Sequence, residues 1–176
     1  MKIAVKPGLY IREINGNDKY SIVKYANNKK ISLNLRDTFP FPYTMEDAEK
    51  WLAVVNDYNP QRTFAIANEN ELIGAIGIEP CRDVNRFCVE LGYWLGEPFW
   101  GNGIVTLAVK EFIKYAFEQY DFIKIFAYVF SSNPSSGRVL EKTGFKLEGC
   151  MRRQIVKDGR ILDQLVYGIL QEEVLH

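Results

Sequence analysis

The chain has 176 residues, of which 47% are apolar, 14% aromatic and 25% charged. That is the make-up of one soluble globular domain, and it excludes a disordered tail or a short disulfide scaffold. Twenty-two basic residues balance 22 acidic ones, so no net field draws the molecule toward nucleic acid or an anionic membrane.

Apolar spacing sets out the elements in chain order. Residues Leu9 to Ile14 alternate as a first strand, and Asp18 to Asn27 reads as a helix. Thr44 is a good N-cap followed by Glu46, Asp47 and Glu49, which predicts a helix to Tyr58 with Ala48, Trp51, Leu52 and Val55 inward. Three strands follow, Thr63–Ala67, Leu72–Ile78 and Phe87–Leu95, forming an antiparallel meander joined by Asn68-Glu69-Asn70 and by Pro80 to Asn85. A long helix opens at Gly103 and runs to about Tyr120, with Val105, Val109, Phe112 and Ala116 on one stripe. Ile123 to Phe130 is rich in β-branched and aromatic residues and reads as a buried strand.

Asn133-Pro134 opens a short helix that Gly144 ends, and Asp158-Gly159 makes a tight hairpin between Met151–Val156 and Ile161–Leu170. With no repeat or linker, residues 1–176 are expected to form a single domain of α/β (α+β) type on a mixed sheet. Cys81, Cys88 and Cys150 contain no C-x-x-C pair, so a disulfide framework or zinc cluster is not expected and a reducing cytoplasm fits. Neither a leader nor a membrane span is expected from the N-terminus or from the apolar runs, which carry Lys or Glu. The one histidine is His176, the last residue, which argues against a histidine triad or a histidine metal site.

Chemistry concentrates at Trp100-Gly101-Asn102-Gly103-Ile104-Val105, a turn between a strand and the long helix. Glycines at 101 and 103 allow backbone conformations closed to other residues and a close approach to a ligand. The first amides of the helix lack internal partners and carry the positive end of its dipole, which suits a phosphate. Such turns also occur without any ligand. No Gly-Lys-Ser/Thr follows, so a P-loop is not supported, and the antiparallel context argues against a dinucleotide fold.

About thirty residues on, Asn133-Pro134-Ser135-Ser136-Gly137-Arg138-Val139-Leu140-Glu141-Lys142-Thr143-Gly144-Phe145 resembles the N-x-x-S-x-x-x-L-E-K-x-G-F pattern of the GNAT acetyltransferase superfamily, in its ribosomal-protein N-terminal and small-amine branch. Leu35 to Thr44 is similar to that branch's substrate-side loop, and Glu90-Leu91-Gly92-Tyr93-Trp94-Leu95 and Asp158-Gly159…Asp163…Tyr167 fit as well, so the likeness spans roughly 9–172. It implies a GNAT-like fold: a twisted, mostly antiparallel sheet of about six to seven strands with helices on both faces. It also implies acetyl-CoA as cosubstrate, held by Trp100, Gly101, Asn102, Gly103, Ile104 and Val105, by the backbone of Tyr93, Trp94 and Leu95, and by Asn133 and Ser136. Two positions depart from the family's Q/R-x-x-G-x-G/A loop. Trp100 replaces Gln or Arg, and Val105 replaces Gly or Ala and crowds the diphosphate.

An amine attacks a thioester only as the free base, so the site must take a proton, stabilise an oxyanion and protonate the departing thiolate. Glu90 is the candidate base, sharing a strand face with the poorly solvating Cys88, Gly92 and Trp94; a cross-strand salt bridge is its plainer reading. Glu79 is the reserve, and water chains are a third route. By resemblance Ser136 is the acid, although a thiol of pKa about 8.5 leaves readily; the plainer reading has Asn133 capping the helix with Ser136 in its first turn. Asp37 and Asp163 are expected to attract a cationic amine, with Thr38 and Phe39 on the same substrate side, though Asp37 also suits a turn cap. Arg152-Arg153 reads as a solvated strand edge.

The implied activity is acetyl transfer to a primary amine by direct attack in a ternary complex, the acceptor being a protein N-terminus, such as that of a ribosomal protein, or a small amine. A noncatalytic CoA-binding or regulatory domain is the alternative. Neither a metal, a nucleic acid nor a membrane is expected as partner, and the chain would act as a monomer or homodimer in the cytoplasm.

Overall fold

The structure is a computed structural model in which residues 1–175 are described; the expectation resting on His176 lies outside them. Eight strands run in the order β1-β2-β3-β4-β5-β6-β8-β7. They are β1 (Lys2–Lys6), β2 (Leu9–Glu13), β3 (Thr63–Asn68), β4 (Leu72–Pro80), β5 (Cys88–Leu95), β6 (Lys124–Phe130), β7 (Lys146–Lys157) and β8 (Arg160–Leu170). Five helices accompany them: α1 (Lys19–Ala26), α2 (Lys29–Ser32), α3 (Met45–Asp57), α4 (Ile104–Gln119) and α5 (Pro134–Lys142). The chain falls into two compact units, one of Met1–Gly77 with Tyr93–Ala108, the other of Ile78–Gly92 with the chain from Val109 onward.

In the first unit β1 to β4 form antiparallel pairs, with Ile11 opposite Ile3 on one side and Ile66 on the other. Arg12 of β2 grips Asp18 through two hydrogen bonds of 2.8 and 2.7 Å, and Asp18 is buried at the start of α1. The pairing matters because a buried carboxylate without a partner would be costly. α3 opens with a capping box in which the Thr44 amide donates to Asp47 at 2.8 Å and the Asp47 amide donates to the Thr44 hydroxyl at 3.3 Å. Its Ala48, Leu52 and Val55 join Ile14, Ile22, Ala26, Tyr43 and Leu72 in one core, with Trp51, Phe39 and Trp94 at its margin.

In the second unit β5 pairs in parallel with β6 at Cys88↔Lys124, Val89↔Ile125 and Glu90↔Phe126. The ladder stops there although β5 continues to Leu95 and β6 to Phe130. β6 pairs antiparallel with β8 over its whole length, and β8 with β7. Asp158 and Gly159 both have positive φ, 50° and 73°, the two-residue turn expected of the hairpin.

Three features differ from the sequence reading. The sheet has eight strands rather than six or seven, because Lys2–Lys6 pairs along β2; three apolar residues between two lysines make too short a pattern to read, and lysine-flanked strands are what sheet edges use. β7 begins five residues earlier than Met151, because register shifts near Leu147/Gly149 and Met151/Ile155 break its alternation. The four-residue α2 is too short for helical periodicity to reveal.

Candidate functional site

In the first unit β5 ends at Leu95 and a short 3₁₀ turn, Glu97–Phe99, leads into Trp100-Gly101-Asn102-Gly103 and then α4. Gly101 and Gly103 adopt φ of 76° and 68°, and nothing lies within 4 Å of where a Cβ on either would stand. Left-handed backbone with open space beside it is what a close-fitting ligand needs from glycine. The following amides of Ile104 and Val105 belong to the first helical turn, which has no internal acceptors for them. The donors and the clear space suit the diphosphate of a coenzyme. The turn is braced by side chains: the Trp100 indole donates to the Leu95 carbonyl at 2.7 Å, and the Asn102 amide donates to the Trp100 carbonyl at 3.0 Å and the Phe99 carbonyl at 3.3 Å. Trp100 therefore ties the turn back to the strand that precedes it. Sequence reasoning missed this brace, whose only signal was an indole where a longer polar side chain is usual.

In the loop before α3 of the same unit, Asp37 and Thr38 are exposed and Phe39 is half-buried. The Phe39 ring lies 5.8 Å from that of Trp94 and 4.9 Å from that of Tyr43, so the structure brings Phe39 and Trp94 together. Tyr43 is buried, and its phenol is pushed up to about 12, first by loss of solvent and then by the charge of Asp47. Tyr93 is half-buried on β5 and Leu95 is buried.

In the second unit Glu90 and Cys88 are half-buried while the alternate residues Val89 and Leu91 are buried, as strand alternation requires. Burial raises the Cys81 thiol, and the charges of Cys88, Glu90 and Glu79 add to the effect. The Cys81 amide donates to the Cys88 carbonyl at 3.0 Å. Among the described residues no group of three or more His, Cys, Asp or Glu is arranged to hold a metal ion.

Asn133 caps α5, its side-chain oxygen accepting from the Ser136 amide at 3.3 Å, so the plainer reading of that pair is present in the structure. The helix ends in a Schellman arrangement: Phe145 donates to the Leu140 carbonyl at 3.1 Å, Gly144 donates to the Glu141 carbonyl at 3.2 Å, and Gly144 takes φ 96°. Leu140 and Phe145 are both buried, which accounts physically for the L-E-K-x-G-F run. The Tyr167 hydroxyl donates to Glu141 at 3.1 Å beneath this helix, and burial, followed by the hydrogen bond to Glu141, raises its phenol. One oxygen of the Asp163 carboxylate accepts from the Arg153 amide at 2.8 Å, and Arg153 has φ 56° in the irregular stretch of β7. Arg152 and Arg153 are exposed, as expected.

Residues 9–146 match the family profile described as Acetyltransferase (GNAT) domain, and the chain belongs to that family. It is an acetyl-CoA-dependent N-acetyltransferase. The uncharacterised N-acetyltransferase YoaA of Bacillus subtilis (strain 168) is 34% identical over 171 residues, 93% of either chain. The ribosomal-protein-serine acetyltransferase of Escherichia coli (strain K12) is 33% identical over 92 residues, 52% of this chain and 51% of that one. The solved structure of RimL, a ribosomal L7/L12 alpha-N-protein acetyltransferase in complex with coenzyme A, superposes with a TM-score of 0.86 at 21% identity, covering 97% of this chain and 98% of that one. At that identity the superposition carries the fold. Among the described residues no helix is long and apolar enough to cross a membrane.

Proposed function

We propose that the chain acetylates the α-amine of a protein N-terminus, a ribosomal protein being the leading class of acceptor, by direct attack in a ternary complex. The observation that carries this reading is the pair of left-handed glycines, Gly101 and Gly103, with open space beside them at the head of α4. Partial identity to a ribosomal-protein acetyltransferase supports the acceptor class.

Acetyl-CoA supplies an acetyl group activated as a thioester. The amides from Gly101 to Val105 take its diphosphate, and the main chain of Tyr93, Trp94 and Leu95 is assigned its thioester arm. One lone pair of the Leu95 carbonyl is already used by Trp100. Asn133 contributes its amide nitrogen, since its oxygen caps α5. Glu90 accepts the proton that the ammonium form of the acceptor must lose; the freed amine forms the C–N bond as the C–S bond breaks, and the second proton it sheds passes through the Ser136 hydroxyl to the departing thiolate. Asp37 attracts the cationic N-terminus to the exposed loop, and the apolar wall of Phe39 and Trp94 receives the side chain beside it. Asp163, tied to the Arg153 amide, is the weaker acceptor-side carboxylate.

Thiol release from acetyl-CoA, followed with N-terminal peptides, with the same peptides blocked at the α-amine, and with spermidine, tests the proposal. Turnover is expected with the free peptides and lost on blocking. Turnover with spermidine alone, or with none of these amines, would overturn the acceptor assignment.

A further inference from the structure

The segment from Tyr25 to Ser32, the end of α1 and the whole of α2, makes two sets of contacts that the reaction does not require of it. Toward the acceptor loop, the Asn27 side-chain oxygen accepts from the Tyr43 amide at 3.0 Å and the Ser32 hydroxyl donates to the Phe39 carbonyl at 3.2 Å. Toward the cofactor turn, the Asn28 amide donates to Glu97 at 2.6 Å and Lys30 forms an ion pair with the same carboxylate. The Tyr25 ring meets Phe99 edge-on at 5.3 Å, and a Cβ on Gly96 would stand 2.9 Å from it. Glu97 and Phe99 lead directly into the glycine turn, the Trp100 amide donating to the Glu97 carbonyl at 3.1 Å.

Asn28 is used at both ends. Its oxygen caps α2 by accepting from Lys30 at 2.8 Å while its nitrogen holds Glu97. The bonds from Lys30, then Asn28, keep the Glu97 carboxyl below its ordinary range, so it is charged at any neutral pH.

We propose that Tyr25–Ser32 is a shared strap, with Asn28 and Glu97 as positioning residues, through which the cofactor turn and the acceptor loop at 33–44 sense each other's occupancy. The proposal rests on the reading that the turn binds acetyl-CoA. A ligand that fixes Glu97–Phe99 fixes the strap, and the strap holds Phe39 and Tyr43 by their main chain. Coupling of this kind needs an element that both sites bias, and the strap touches both.

Asn28→Asp is the informative change, because aspartate retains the helix cap but places a second carboxylate against Glu97. Asn28→Asp/Glu97→Gln restores a hydrogen bond with its polarity reversed. Amide hydrogen exchange of the whole chain, with and without acetyl-CoA, reads both segments at once, and thermal unfolding reports whether each variant is folded. In the wild type, acetyl-CoA is expected to slow exchange in 96–105 and also in 33–44, the latter by about fivefold or more, the lower end of measured couplings. In Asn28→Asp the slowing at 33–44 is expected to vanish while some remains at 96–105, and the double variant is expected to recover it. Absence of any slowing at 96–105 in the wild type would refute the cofactor reading itself. Slowing at 96–105 without 33–44, or slowing at 33–44 that survives Asn28→Asp, would overturn the strap while leaving that reading intact. Should Asn28→Asp unfold, Glu97→Ala, which removes the acceptor of both Asn28 and Lys30, is held to the same outcomes.

Discussion

The Tyr167 hydroxyl lies beneath Gly137, so close that a methyl group on that glycine would stand 2.9 Å from the phenolic oxygen. Gly137 follows Ser136 on α5, and the contact sets how near the helix carrying Asn133 and Ser136 approaches β8. In an open helix, Gly→Ala would stabilise by about 0.5–1 kcal/mol. Here overpacking of about 1–3 kcal/mol opposes that gain, so Gly137→Ala is expected to lower stability in urea denaturation and to reduce turnover. Tyr167→Phe removes the obstructing oxygen at the expense of its bond to Glu141, worth about 0.5–1.5 kcal/mol. The double variant should be more stable than the sum of the single effects predicts; strict additivity would refute the steric argument.

The glycine turn separates backbone strain from loss of ligand space. Gly101→Ala and Gly103→Ala meet no neighbouring atom, so the stability lost should be the left-handed penalty alone, about 1–2 kcal/mol. Asparagine tolerates that conformation better, so Gly101→Asn should recover most of the stability. A side chain in the cradle should nonetheless weaken acetyl-CoA binding in all three variants by about tenfold, equivalent to about 1.4 kcal/mol. Calorimetric titration showing wild-type affinity in Gly101→Asn would place the diphosphate elsewhere.

Trp100→Phe keeps an aromatic ring but removes the indole donor to Leu95. The expected cost is about 0.5–1.5 kcal/mol of stability, with KM for acetyl-CoA raised and kcat little changed, because the bond shapes the turn before any chemistry. A fall in kcat at unchanged KM would contradict a bracing role.

Among the proton-transfer candidates, Glu90→Gln is expected to lower kcat by about a hundredfold or more, the usual scale for a positioned base. Ser136→Ala is expected to cost less than about tenfold, since a thiol of pKa about 8.5 is already a fair leaving group. If Glu79→Gln proves the damaging change and Glu90→Gln does not, the base has been misassigned.

The buried Tyr43 phenol makes alkaline stability testable. Its folded value of about 12 lies above the ordinary 10.0, so the unfolded chain loses that proton first as pH rises. The contribution is therefore whole below about 10 and drains away between about 10 and 12. Urea midpoints at about pH 9, 10 and 11 should fall less steeply in Tyr43→Phe than in the wild type, with Tyr25 and Tyr167, both raised, supplying the remaining slope. Equal slopes would mean that Tyr43 ionises freely in the folded chain.

Features that depend on residues a few positions apart were legible before any coordinates. Thr44 caps α3, Asp158-Gly159 turns a hairpin, Asn133 and Gly144 bracket α5, and Gly101 and Gly103 take the left-handed conformation that their lack of a Cβ permits. Each of these is a local choice among few backbone conformations, and the side chains concerned make that choice themselves. What the chain order conceals is pairing at long separation. Asn28 and Glu97 are 69 positions apart, and Lys24 and Glu71 are 47. Nothing in either partner's neighbourhood specifies the other, so only the folded backbone, by bringing their donors and acceptors within hydrogen-bond distance, decided which side chains brace the fold and which are left to act.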